Sequence, residues 1–217
     1  MTLSNRQVNY LIKPVTFLVA FLPFACLVYG ASTDSLGTNP VESMTHQTGE
    51  WALRFLLITL AISPLRRMSG LSWTTKLRRM LGLFAFFYAC LHFLTYIWLD
   101  QFFDFAEILH DIPKRPFITI GFISFVLLIP LAITSTKKMQ QRLKANWKRL
   151  HQLIYVIPML VVLHFIWSLK ADYTEPFIYT VVFLVLMSER AYHARCQARS
   201  LASRTDKKPR SFNAAGL

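Results

Sequence analysis

The stretch RLHQLIYVIPMLVVLHFIWSLK, residues 149–170, places two histidines, His151 and His164, in an otherwise apolar run broken by one proline, Pro158. Twenty helical residues at about 1.5 Å each rise about 30 Å, the thickness of a bilayer's hydrocarbon core, so this run reads as a membrane-spanning helix. Ionisable side chains within a membrane are costly, and they face a bundle interior or a functional path. The stretch therefore decides the fold class and shows where chemistry is to be sought.

Five further apolar runs lie around it, at residues 11–30, 51–65, 80–99, 116–134 and 176–187. Those at 51–65 and 176–187 are short and need flanking residues to complete a crossing. Composition agrees: 54% of the 217 residues are hydrophobic, with 18 Phe and only 7 Gly, more apolar than a soluble globule requires. The expected fold is all-α, an integral membrane bundle of six transmembrane helices over residues 1–192. A basic, disordered cytoplasmic tail over residues 193–217 is expected to follow it. The first run exceeds a usual signal-peptide core and contains Pro14 and Pro23, so it reads as a retained anchor.

Charge between the runs sets direction, because Lys and Arg are retained on the cytoplasmic side during insertion. With both termini inside, twenty basic and two acidic residues lie inside, and four basic and nine acidic residues outside. The net charge of +13 thus divides into +18 and −5. The alternation holds at every loop and so supports six helices. It also sets nucleic acid aside as the partner behind the high pI, since these cations sit at anionic lipid headgroups.

Cys26, Cys90 and Cys196 are scattered and suggest no disulfide framework; no CxxC marks zinc and no CxxCH marks covalent haem. Neither GxGxxG nor a Walker-type loop is present, so a nicotinamide is not the direct source of any electrons handled here.

His92 lies in RRMLGLFAFFYACLHFLTYIWL, twelve residues after Met80, and His164 lies fourteen after Leu150. The third and fifth helices run in the same direction, so the two imidazoles reach one depth, nearer the outer face. Two neutral imidazoles supply the axial bonds of a haem iron, with the macrocycle among Phe86, Phe87, Phe93 and Phe165. The plainer alternative is that each histidine hydrogen-bonds a neighbouring helix. His151 is thirteen residues from His164, a rotation of about 220° on a straight helix, although Pro158 can alter that angle. It could ligate a second, inner haem, line a quinone or flavin site, or sit at the interface. The matching positions on the third helix are Arg78 and Arg79, which cannot ligate iron.

The segments THQTGEWALRFLL, KLRRMLGLFAFFYACLHFLTY, KRPFITIGFISFVLLIPLAITST and NWKRLHQLIYVIPMLVVLHFIWSLK resemble, in order and spacing over about residues 5–190, a known family. It is that of the haem-binding membrane subunits of the bacterial periplasmic methionine sulfoxide reductase system. More broadly they resemble the ferric-reductase-type transmembrane domain. The resemblance implies a multi-pass inner-membrane protein with haem b and FMN. Electrons pass from the quinol pool to a periplasmic molybdopterin-containing methionine sulfoxide reductase catalytic subunit, which carries the site for methionine sulfoxide. His92 and His164 match the family's haem ligands, and His151 a third functionally important histidine. The second histidine on helix three of two-haem relatives is absent here.

Lesser residues take supporting expectations. Arg54 snorkels outward or pairs with a haem propionate. Arg78 and Arg79 hold a flavin phosphate or quinone headgroup, or simply obey the positive-inside rule. His46 belongs to the outer loop before the second helix, which Thr48 would cap. Asp100, Asp104, Glu107 and Asp111 form an acidic outer face able to steer a basic acceptor. Two rival functions are a self-contained transmembrane ferric or quinone reductase and a cofactor-free carrier or scaffold.

Overall fold

Pro158 has no N–H to donate and its ring crowds the carbonyl four residues earlier, so it sits most easily in the first turn of a helical segment. The computed structural model describes residues 4–169 and 172–206, and there the fifth long helix changes its winding just before Pro158. In chain order the long helices are α1 (Asn5–Ser32), α2 (Pro40–Ser69), α3 (Arg78–Asp100), α4 (Pro116–Ile133), α5 (Ala145–Ser168) and α6 (Thr174–Asp206). Within α5, a 3₁₀ segment His151–Tyr155 precedes an α-helical segment Ile157–Ser168 with Pro158 in its first turn. A 3₁₀ step turns about 120° rather than 100°, so five such residues bring His151 to within about 40° of His164.

The described residues form no strand. The helices α1, α3, α4 and α5 are long and apolar enough to cross a membrane. The other two are longer, at 30 and 33 residues, but their apolar middles are flanked by charge. Helix α2 packs most extensively on α3, and α4 on α5; α6 lies against α2 and α5, and α1 touches α2 and α3 lightly. The core lies where α2 to α5 meet, around Phe55, Leu56, Leu81, Phe84, Leu128 and Ile157. Leu18 and Leu22 of α1 and Phe177 and Leu184 of α6 are exposed outward, as lipid-facing residues are.

Helix α2 begins earlier than its apolar run suggested. Asn39 caps it by accepting from Glu42 N at 3.3 Å, and Pro40 occupies the first turn. Thr48 is therefore not the cap: it is buried mid-helix, its hydroxyl donating to Met44 O at 2.7 Å. His46 likewise lies on the helix rather than in a loop. The helix ends at Gly70, whose φ of 70° is the left-handed conformation that lets its N–H reach Arg66 O at 3.0 Å. Helix α6 continues past His193, where a disordered tail was expected, through Asp206; residues 207–217 of that tail lie outside the described residues. Beyond its apolar run, Glu189 receives the fork of the Arg67 guanidinium, Nε to Oε1 at 2.9 Å, which holds that carboxyl below its usual range.

Pro23 interrupts α1, and Tyr88 of α3 bridges its backbone there. The Tyr88 hydroxyl donates to Ala20 O at 2.9 Å and accepts from Phe24 N at 3.0 Å. Those groups would otherwise pair with each other, and an unpaired backbone group in an apolar setting is expensive. Tyr88→Phe should destabilise the protein by about 1–3 kcal/mol. A thermal melt in detergent checks this; an unchanged melting temperature would remove the bridge from the account.

Candidate functional site

Helices α2, α3, α4 and α5 enclose a cavity of about 670 Å³ lined by both His92 and His164. Their ring centroids are 6.0 Å apart, with ring planes at 76°. Leu53, Leu56, Phe93, Phe122, Phe125, Leu128 and Phe165 supply apolar walls, while Glu42, Asp100 and Arg115 are among the polar lining residues.

Each ring is held through Nδ1. That of His92 lies 2.9 Å from Thr45 O, and that of His164 lies 2.6 Å from Phe117 O. A carbonyl only accepts, so both Nδ1 atoms carry the proton and both Nε2 atoms keep a lone pair. A carbonyl that accepts from the far ring nitrogen orients a metal-binding imidazole in this way. Among the described residues no group of three or more His, Cys, Asp or Glu could hold a metal ion. A bare ion would find too few donors, whereas an iron bringing four porphyrin nitrogens needs two more. The spacing fits as well: two metal–imidazole bonds of about 2.0 Å, with ~1.2 Å from nitrogen to ring centre, would separate centroids by about 6.4 Å.

A second cavity, of about 960 Å³, lies at the other end of the bundle and shares Leu56 and Leu128 with the first. Lys13, Lys76, Arg78, Arg79, Lys137, Lys148 and Arg190 line it, together with His151, Trp147 and Tyr155. None of its described lining residues is acidic. Among the described residues, two buried side-chain polar atoms have no hydrogen-bond partner, Thr59 Oγ1 and Arg190 Nε, and both residues belong to the lining of this cavity.

His92 and His164, expected as a pair, are brought together. His151 faces the second cavity instead, stacked on Trp147 at 4.1 Å, with Nε2 3.1 Å from Thr134 Oγ1. The Thr134 hydroxyl donates to Pro130 O at 2.5 Å, so it accepts from His151, whose Nε2 then carries the proton. Arg78 and Arg79 line the same cavity, with Arg78 Nη2 2.6 Å from Ser63 Oγ. Arg54 is not among the residues lining the first cavity: it donates to Glu50 and to the Tyr179 hydroxyl, both at 2.7 Å, and covers Trp51. Phe93 and Phe165 line the histidine cavity, whereas Phe86 lines the basic one and Phe87 packs on Phe21 and Phe24 of α1. Asp111 departs from the expected acidic face: it is buried and paired with Arg115 at 2.9 Å.

Sequence reasoning missed Arg115 and Arg190 as cavity residues, and the carbonyls of Thr45 and Phe117. It also missed Gly49 and Gly121, which touch the two imidazoles. A glycine within an apolar helix, in a chain with only 7, was the available signal.

The chain matches the family described as ferric reductase like transmembrane component over residues 48–168. A protein of Herminiimonas arsenicoxydans named protein-methionine-sulfoxide reductase heme-binding subunit MsrQ is 52% identical over 202 residues, 90% of this chain and 93% of its own. Proteins of the same name from Xanthomonas euvesicatoria pv. vesicatoria and Xanthomonas campestris pv. campestris are 46% and 49% identical. They match over 91% and 82% of this chain and 93% and 81% of their own. No solved structure matches it. With both the family match and relatives of this similarity along most of its length, the chain belongs to the ferric reductase-like transmembrane family and, within it, to the protein-methionine-sulfoxide reductase heme-binding subunits, multi-pass proteins of the bacterial inner membrane.

Proposed function

We propose that this chain is the membrane electron-transfer subunit of a methionine sulfoxide reductase system. It binds haem b through His92 and His164 and passes electrons from the quinol pool to a periplasmic molybdopterin-containing catalytic subunit. All six long helices cross the membrane, with both termini cytoplasmic. The observation that carries this reading is the pair of rings 6.0 Å apart, each with Nδ1 committed to a carbonyl and Nε2 left as a lone pair.

A haem held by two imidazoles supplies a one-electron centre with no open coordination position. The chain's own residues do the rest. Thr45 and Phe117 carbonyls fix the tautomers, and Phe93, Phe122 and Phe165 keep water from the rings. Leu56 and Leu128 form the partition shared with the basic cavity. There Arg78, Arg79 and Arg190 attract an anionic or carbonyl-bearing group, for which the FMN phosphate and a quinone headgroup both have suitable chemistry. The net basic end is then cytoplasmic. Asp100, Asp104 and Glu107, all at least partly exposed, remain to meet the periplasmic partner.

Absorbance of the purified protein tests this. A Soret band should be present, quinol should sharpen the α and β bands, and the periplasmic catalytic subunit should reoxidise the haem. A colourless protein from haem-replete cells would instead favour a cofactor-free carrier. Reduction by quinol with no reoxidation by that subunit would favour a self-contained ferric or quinone reductase.

A further inference from the structure

The two imidazoles are held by one device used twice. In α2 the Thr45 carbonyl accepts from His92, and four residues on Gly49 lies against the same ring; in α4 Phe117 and Gly121 do the same for His164. The helix explains the spacing. A carbonyl and the residue four positions later share one hydrogen-bonded turn, so a ring donating to that carbonyl must lie against that residue's Cα. A Cβ on Gly121 would sit 2.8 Å from both Nδ1 and Cε1 of His164, and one on Gly49 would sit 3.0 and 3.1 Å from the same atoms of His92. Neither ring could yield easily, because Nδ1 is tied to a carbonyl on the same helix.

The chain numbering repeats as well. Thr45, Gly49 and His92 recur 72 residues later as Phe117, Gly121 and His164, and the tripeptide Leu-His-Phe at 91–93 recurs at 163–165. Each carbonyl stands 47 residues before its histidine. We infer that α2–α3 and α4–α5 are two copies of one ligand-presenting hairpin, in which Gly49 and Gly121 are positioning residues. Each glycine lets an imidazole press close enough to donate Nδ1–H to the neighbouring helix. That bond raises the basicity of the opposite nitrogen and fixes the ring's angle. The inference rests on reading His92 and His164 as haem ligands, and it assigns the glycines a part in setting the centre's affinity and potential.

Gly121→Ala and Gly49→Ala are to be compared with Gly82→Ala, a glycine of α3 whose Cβ would meet nothing nearer than Thr59 Cγ2 at 3.7 Å. Haem affinity, midpoint potential and the low-spin bis-imidazole signature in electron paramagnetic resonance are the readouts. Gly121→Ala should lower haem affinity by about ten- to a hundredfold, the range for losing an orienting partner. The haem it retains should show an upward potential shift, because the weakened Nδ1–H donation stabilises the oxidised iron less. Gly49→Ala should move the same way by less, and Gly82→Ala not at all. If Gly121→Ala does not give a protein with wild-type helix content by circular dichroism, Gly49→Ala and Gly49→Ser decide the matter. Glycine variants at positions 49 and 121 matching Gly82→Ala in affinity and potential would overturn the positioning role. A wild-type protein devoid of haem would instead overturn the ligand assignment beneath it.

Discussion

His92→Ala or His164→Ala should strip the protein of its haem while leaving the helices in place. Either change removes one of two axial donors, and no third histidine, cysteine or carboxylate stands with them in a ligating group among the described residues. The loss should exceed the roughly ten- to hundredfold that follows from losing an orienting partner alone. Soret absorbance per protein, with a pyridine haemochrome assay for total haem, measures it. Imidazole added in solution should partly restore the low-spin spectrum, since alanine leaves room for a free ring beside the carbonyl that held the native one. His151→Ala should keep most of the haem, because its ring lies in the other cavity with Nε2 bound to Thr134. Equal loss in all three variants would sink the pairing.

The second large effect belongs to the basic cavity. Arg79→Ala and His151→Ala should slow haem reduction by quinol by about ten- to a hundredfold, the equivalent of one charge-assisted hydrogen bond of roughly 1.5–3 kcal/mol. The Soret band and the dithionite-reduced spectrum should not change. The argument is one of charge: seven cationic residues line one void with no acidic residue among its described lining, and they repel each other unless an anionic or strongly accepting group lies among them. Stopped-flow mixing with quinol, set against dithionite as a reductant that bypasses the site, separates electron input from haem loss. Wild-type quinol rates in both variants would refute this use of the cavity.

Much of this is legible in the chain itself. Hydropathy and the positive-inside bias are properties of single residues summed along a short window, and they suffice to mark the apolar runs and to sort their ends by charge. Seven of the cations assigned to one side, from Lys13 to Arg190, line one cavity. His92 and His164 stood out because an imidazole deep in an apolar run is costly without a reason. Helix α2 was read too short because its first turns, residues 40–50, are mostly polar and end on Glu50, and Arg54 follows inside the apolar run. In three dimensions those two charges cancel one another, and Tyr179, 125 residues from Arg54, completes the pair.

Read residue by residue, the chain already declares an all-helical membrane class and singles out the two histidines that the fold brings together. Which way each ring faces depends on contacts between helices. The 3₁₀ turn ahead of Pro158 swings His151 towards α4, the carbonyls of Thr45 and Phe117 settle the tautomers, and Gly49 and Gly121 make room for the rings. The difference is one of range. Burial preference and insertion charge act locally along the chain, whereas tautomer, ring angle and cavity lining are set by contacts between groups tens of residues apart on different helices.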